Sequence, residues 1–123
     1  MRSLPISAPG LAIALLMTLP ASTGPAAAQA KLSNIGCGRE DALRSVDGTR
    51  PTNVTFINQS GRRVRTYWLN YAGKRVFYRE LGPGDSYTQQ TYVTHPWVIT
   101  SDGSGDCTAL YQPLAAPAIA IIQ

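Results

Sequence analysis

Beyond its first thirty residues the chain alternates apolar and polar positions in short runs. Val64-Arg65-Thr66-Tyr67-Trp68-Leu69 places Val64, Thr66 and Trp68 on one face of a strand and Arg65, Tyr67 and Leu69 on the other. Asn53 to Asn58 is rich in strand formers and is closed by Gln59-Ser60-Gly61. Lys74 to Tyr78 returns from the turn Asn70-Tyr71-Ala72-Gly73, so this segment pairs with the one before it as a hairpin. Ser86 to Tyr92 follows the tight turn Gly82-Pro83-Gly84-Asp85, in which glycine allows positive φ and proline fixes its own. Further strands are predicted at Pro96–Thr100, Cys107–Tyr111 and Ala118–Ile122. A helical period is sustained nowhere past residue 30, although Glu40-Asp41-Ala42-Leu43-Arg44 has room for one helical turn. Seven short strands with regular turn signals predict an all-β fold, a single antiparallel sandwich.

The opening segment follows a different pattern. A weakly charged start, an apolar run from Leu11 to Met17 with Leu19, a break at Pro20 and the small-x-small triplet Ala28-Gln29-Ala30 together read as a signal peptide over residues 1–30. As a membrane span the run is too short, because crossing needs about 20 apolar residues; a retained anchor is the rival reading. Cleavage after Ala30 would leave an arm over 31–50, polar and glycine-bearing, and a sandwich over 51–123. About 93 residues make one small domain. The protein is expected to be secreted or periplasmic, with no membrane attachment after cleavage.

Charge adds little. Removing the signal takes away Arg2 alone, and the net charge falls from +4 to +3. Arg62, Arg63, Arg65, Lys74, Arg75 and Arg79 would make a basic face if their strands are neighbours, for an acidic partner or simply as a solvated surface. Nucleic acid is not an expected partner of an exported chain.

The two cysteines, Cys37 and Cys107, are most simply one disulfide in an oxidising compartment. Lipidation of Cys37 is disfavoured, because Asn34 sits where a lipobox wants an aliphatic residue. Asn53-Val54-Thr55 and Asn58-Gln59-Ser60 match glycosylation sequons.

Catalytic constellations are missing. The one histidine, His95, has no acid partner beside it, and Glu80 and Asp85 do not form the close pair that glycosidases use. His95 with two bonded cysteines falls short of the three protein ligands that a zinc site wants. No glycine-rich phosphate loop precedes a helix. The chain reads as a binder rather than an enzyme, with no metal and no cofactor.

Candidate binding residues concentrate between Trp68 and Trp97, a stretch that holds both tryptophans, His95 and several tyrosines. Each also has an ordinary structural use, since a tryptophan in a sandwich strand is usually core. Leu43-Arg44-Ser45-Val46, Val54 to Ser60, Trp68-Leu69-Asn70-Tyr71-Ala72-Gly73 and His95-Pro96-Trp97 resemble, in order and spacing, the β domain of the von Hippel–Lindau family. The likeness runs for about fifty-five residues and fades beyond Ser101-Asp102-Gly103. It implies a seven-stranded sandwich. It also implies capture of a 4-hydroxyproline on an extended peptide, as the best-known member does with hypoxia-inducible factor. By position the pocket would be Trp68, Tyr78, Thr91, His95 and Trp97, with the tryptophans flanking the ring, Tyr78 on the peptide backbone, and His95 and Thr91 on the ring hydroxyl. Thr91 stands where the family has serine, and Pro96 replaces an aliphatic residue. Nothing in the sequence corresponds to the helical α domain, so elongin binding is not expected. An interaction or envelope protein using the same sandwich for another ligand, such as a glycan, is the alternative.

Overall fold

A computed structural model describes residues 2–21, 29–101 and 103–123. Residues 2–21 form no helix or strand, and no described helix is long and apolar enough to cross a membrane. Met1 and residues 22–28, with the first alanine of the expected cleavage triplet, lie outside the described residues.

Among the described residues, eight strands form two four-stranded sheets. They are β1 (Ala30–Lys31), β2 (Pro51–Asn58), β3 (Val64–Leu69), β4 (Arg75–Leu81), β5 (Ser86–Tyr92), β6 (Trp97–Ser101), β7 (Cys107–Tyr111) and β8 (Ala118–Ile122). One sheet has the order β1-β8-β2-β5 and the other β4-β3-β6-β7. The seven expected strands are present, joined by the two-residue β1. The expectation of a wholly antiparallel sandwich needs correcting, because β8 runs parallel to both β1 and β2. Alternation within a strand reports which face is buried and carries no information about the direction of its neighbours.

Alternation puts Val54 and Phe56 of β2, Val64 of β3, Leu81 of β4, Trp97 and Ile99 of β6, Tyr111 of β7, and Ala120 and Ile122 of β8 into the layer between the sheets. Asn58 is fully buried, and its amide nitrogen reaches the carbonyls of Arg62, Leu81 and Gly82 at 2.6–3.2 Å. That amide holds the end of the sandwich together, so the second sequon is closed to modification in the folded protein.

The segment before β2 is integral to the fold. Leu32 packs into the core, and its amide donates to the Ile119 carbonyl. The chain then crosses to the outer face of the second sheet. Ile35 N–H donates to the Leu110 carbonyl, while the Asn34 side-chain oxygen accepts from Leu110 N–H. A short 3-10 helix, Cys37–Ala42, follows and is fastened by the Cys37–Cys107 disulfide and by a bidentate Arg75–Glu40 pair. Underneath, Leu69, Val98 and Leu110 form a second apolar cluster with Leu43 packed against it. The inner face of this sheet is thus covered by the opposite sheet, and the arm covers the part of the outer face around Leu69, Val98 and Leu110.

Candidate functional site

β4 and β5 are edge strands of different sheets, and they flank an opening on one side of the sandwich. One irregularity shapes it. Thr66 pairs with Arg79 and Tyr67 with Phe77, so Tyr78 is an extra residue in β4. A bulge of this kind turns successive side chains toward the same side. Tyr78 consequently reaches Trp68 (6.4 Å between ring centroids) and Trp97 (4.9 Å), while Arg79 lies over the Tyr87 ring of β5.

All five residues singled out by the resemblance, Trp68, Tyr78, Thr91, His95 and Trp97, line one cleft of about 270 Å³, together with Gln89, Gln90 and Tyr92. Trp68 and Trp97 are cross-strand partners on β3 and β6. They therefore stand side by side, not opposite one another as flanking walls. Trp97 is 2 % exposed and packs on Phe56, so it forms the floor. Its indole N–H donates to Thr91 Oγ1 at 3.0 Å, which leaves the Thr91 hydroxyl its own proton to give. Tyr78, 46 % exposed, stands at the mouth.

Trp68 is oriented from the arm. Its indole N–H donates to Ser45 Oγ at 2.7 Å, and Ser45 in turn donates to the Leu69 carbonyl at 2.6 Å. Stranding that N–H would cost about 1–3 kcal/mol. Ser45 lies in the Leu-Arg-Ser-Val block, which was the signal available for it; spacing alone could not place it beside an indole 23 residues away.

His95 is 7 % exposed and stacks on Trp68 at 5.1 Å, with the Tyr71 and Tyr92 rings tilted against it. Burial lowers its pKa below the ordinary 6.5, opposed by the Asp47 carbonyl and charge. Thr94 pins that loop, its hydroxyl donating to the Asp47 carbonyl and accepting from the Asp47 and Val46 amides. Tyr71 OH bonds His95 Nε2 at 3.1 Å, and in either tautomer that nitrogen is occupied. Tyr71 was missed because Asn70-Tyr71-Ala72-Gly73 reads as a turn. It is one: Gly73 N–H donates to the Asn70 carbonyl and Gly73 has φ +73°, but the turn also delivers the phenol to His95.

The cationic residues separate. Arg65 and Arg75 project on the outer side of β3 and β4, each over an aromatic ring, whereas Arg79 lies on the opposite side. The single basic face that strand adjacency suggested does not form, because the bulge reverses the facing of β4 past Tyr78.

The cleft presents aromatic surfaces and the Thr91 hydroxyl to a ring-sized group, and among the described residues no carboxylate lines it. The family model of the VHL beta domain matches residues 43–113, more than half of the chain, and the match spans every cleft residue and Ser45. VHL β domains are substrate-binding modules for peptides and proteins. The matched region, the two-sheet sandwich and the aromatic cleft agree, and the chain belongs to the VHL β-domain family.

Proposed function

We propose that this chain is an exported binding module that holds a prolyl or 4-hydroxyprolyl ring of an extended peptide in the cleft between β4 and β5. The observation that carries the reading is the convergence of Trp68, Tyr78 and Trp97 around the Thr91 hydroxyl, with His95 against Trp68. Polarised C–H bonds of a pyrrolidine ring suit indole and phenol faces, and its rigidity lowers the ordering cost of binding. Thr91 O–H would donate to the ring hydroxyl, and Tyr78 would bond the peptide backbone. The disulfide fits an oxidising compartment, in keeping with export.

One observation favours a second reading, in which the cleft takes a ring without reading its hydroxyl: the Tyr71 phenol already satisfies His95 Nε2. Calorimetry with matched proline and hydroxyproline peptides separates the two. Hydroxyl recognition predicts tighter binding of the hydroxylated peptide by about 5- to 150-fold, the cost of leaving buried partners unpaired. Thr91→Val should remove most of that difference. Equal affinity for both peptides, or a preference that survives both Thr91→Val and His95→Ala, would show that hydroxyl recognition is not a property of this cleft.

A further inference from the structure

Beyond the cleft the inward-facing rows of the two edge strands run on, with Thr91, Gln89 and Tyr87 along β5 and Tyr78 and Arg79 along β4. The far end is rigidly built. The Tyr87 ring stacks on Phe56 at 5.6 Å, and its hydroxyl shares a hydrogen bond with Thr66 Oγ1 at 2.7 Å. Arg79 lies over that ring with its guanidinium carbon 4.5 Å from the centroid. The Arg79 carbonyl accepts from the same Thr66 hydroxyl at 3.3 Å, so ring and cation share one buried anchor.

Arg79 differs from the other arginines of β3 and β4. Arg63 and Arg65 share Glu80, and Arg75 is bidentate on Glu40. Among the described residues no carboxylate lies within ion-pair distance of Arg79. A guanidinium held over an aromatic face keeps N–H groups for a planar acceptor, and a carboxylate can take two of them in bidentate geometry. The ring also fixes the side chain beforehand, which reduces the entropy lost on pairing.

Spacing sets the register. Tyr87 and Thr91 are four residues apart on one strand, about 14 Å at 3.4 Å per residue. An extended ligand lying along β5 covers that distance in about four of its own residues.

We propose that Arg79 on Tyr87 is an acid-reading subsite, so that the ligand is an extended peptide carrying an aspartate or glutamate about four residues from its prolyl ring. This rests on the peptide-binding reading of the cleft and narrows its substrate class. The test is a fluorescence-anisotropy series of short hydroxyproline peptides in which glutamate, glutamine or lysine is scanned along both flanks. Glutamate about four residues from the ring on one flank should bind about three- to ten-fold tighter than glutamine, and the gain should shrink with added salt. Arg79→Gln should abolish the gain, and Arg79→Glu should transfer the preference to lysine. A glutamate preference that persists in Arg79→Gln, or that has the same size at every position, would overturn the proposal. The same series with the ring residue changed to proline or alanine reports on the cleft separately. Loss of ring dependence with an intact Arg79-dependent glutamate preference would sink the ring reading and keep this one, and absence of binding by every peptide would overturn both.

Discussion

Thr91 and His95 show how the same side chains serve packing and chemistry. Thr91 accepts a hydrogen bond from the indole N–H of the floor tryptophan, so its hydroxyl is already oriented before a ligand arrives, and its methyl occupies space that a serine would leave open. His95 is held neutral by burial, and this has a consequence for pH. Its pKa is lower in the folded protein than the ordinary 6.5 of an unfolded chain, so the unfolded state binds the proton more readily. The stability it contributes is therefore complete above about pH 6.5 and is lost as pH falls through the depressed folded value. Urea midpoints measured from about pH 8 down to pH 5 should decline, and His95→Gln should flatten the part of the decline just below pH 6.5. An identical slope in the variant would show that His95 is not the titrating group. The five cleft residues were legible in the sequence because they keep family spacing across β3 to β6. Tyr71 and Ser45 act through hydrogen bonds between segments, and those are set by tertiary placement rather than by local pattern.

Strand positions followed from alternation, and β3, β5, β7 and β8 match the predicted bounds. What alternation could not reveal was the use of the outward row. Arg65, Tyr67 and Leu69 share one row of β3, yet Leu69 is fully buried with Val98 and Leu110 beneath the arm. The arm itself has no periodicity to read, because it is held by single contacts: Asn34 to Leu110, Ser45 to Asn70 and Leu69, Val46 and Asp47 to Thr94. The disulfide joins positions 70 residues apart, and the loop-entropy model assigns it up to about 4 kcal/mol. Reduction should lower the melting temperature and leave the far-ultraviolet signature of the sheets, since the core between them does not depend on the bridge. It should also weaken peptide binding, because Ser45 orients Trp68 from the arm that the bridge secures. Two thiols that titrate in the oxidised native protein would refute the bridge.

At the scale of the whole chain, export predicts a mature N-terminus at Lys31. Mass spectrometry of protein recovered from the medium or periplasm tests this, and full-length chain in the membrane fraction would refute it. Cleavage there keeps Lys31 opposite Ile119 and the Leu32 amide on the Ile119 carbonyl, so the arm would remain docked. The position of β8 bears on how such a chain is made. It follows the other strands of its sheet in the chain, yet it lies inside that sheet between β1 and β2. Until the residues through Ile122 have left the ribosome, β2 lacks a neighbour on one flank, and its pairing of Val54 with Ala118 closes most of the chain's length at once. Contacts that distant in sequence place folding toward the millisecond-to-second range. Until β8 emerges, the sheet that it completes stays open, and an open chain is the form that export through a translocation channel would require.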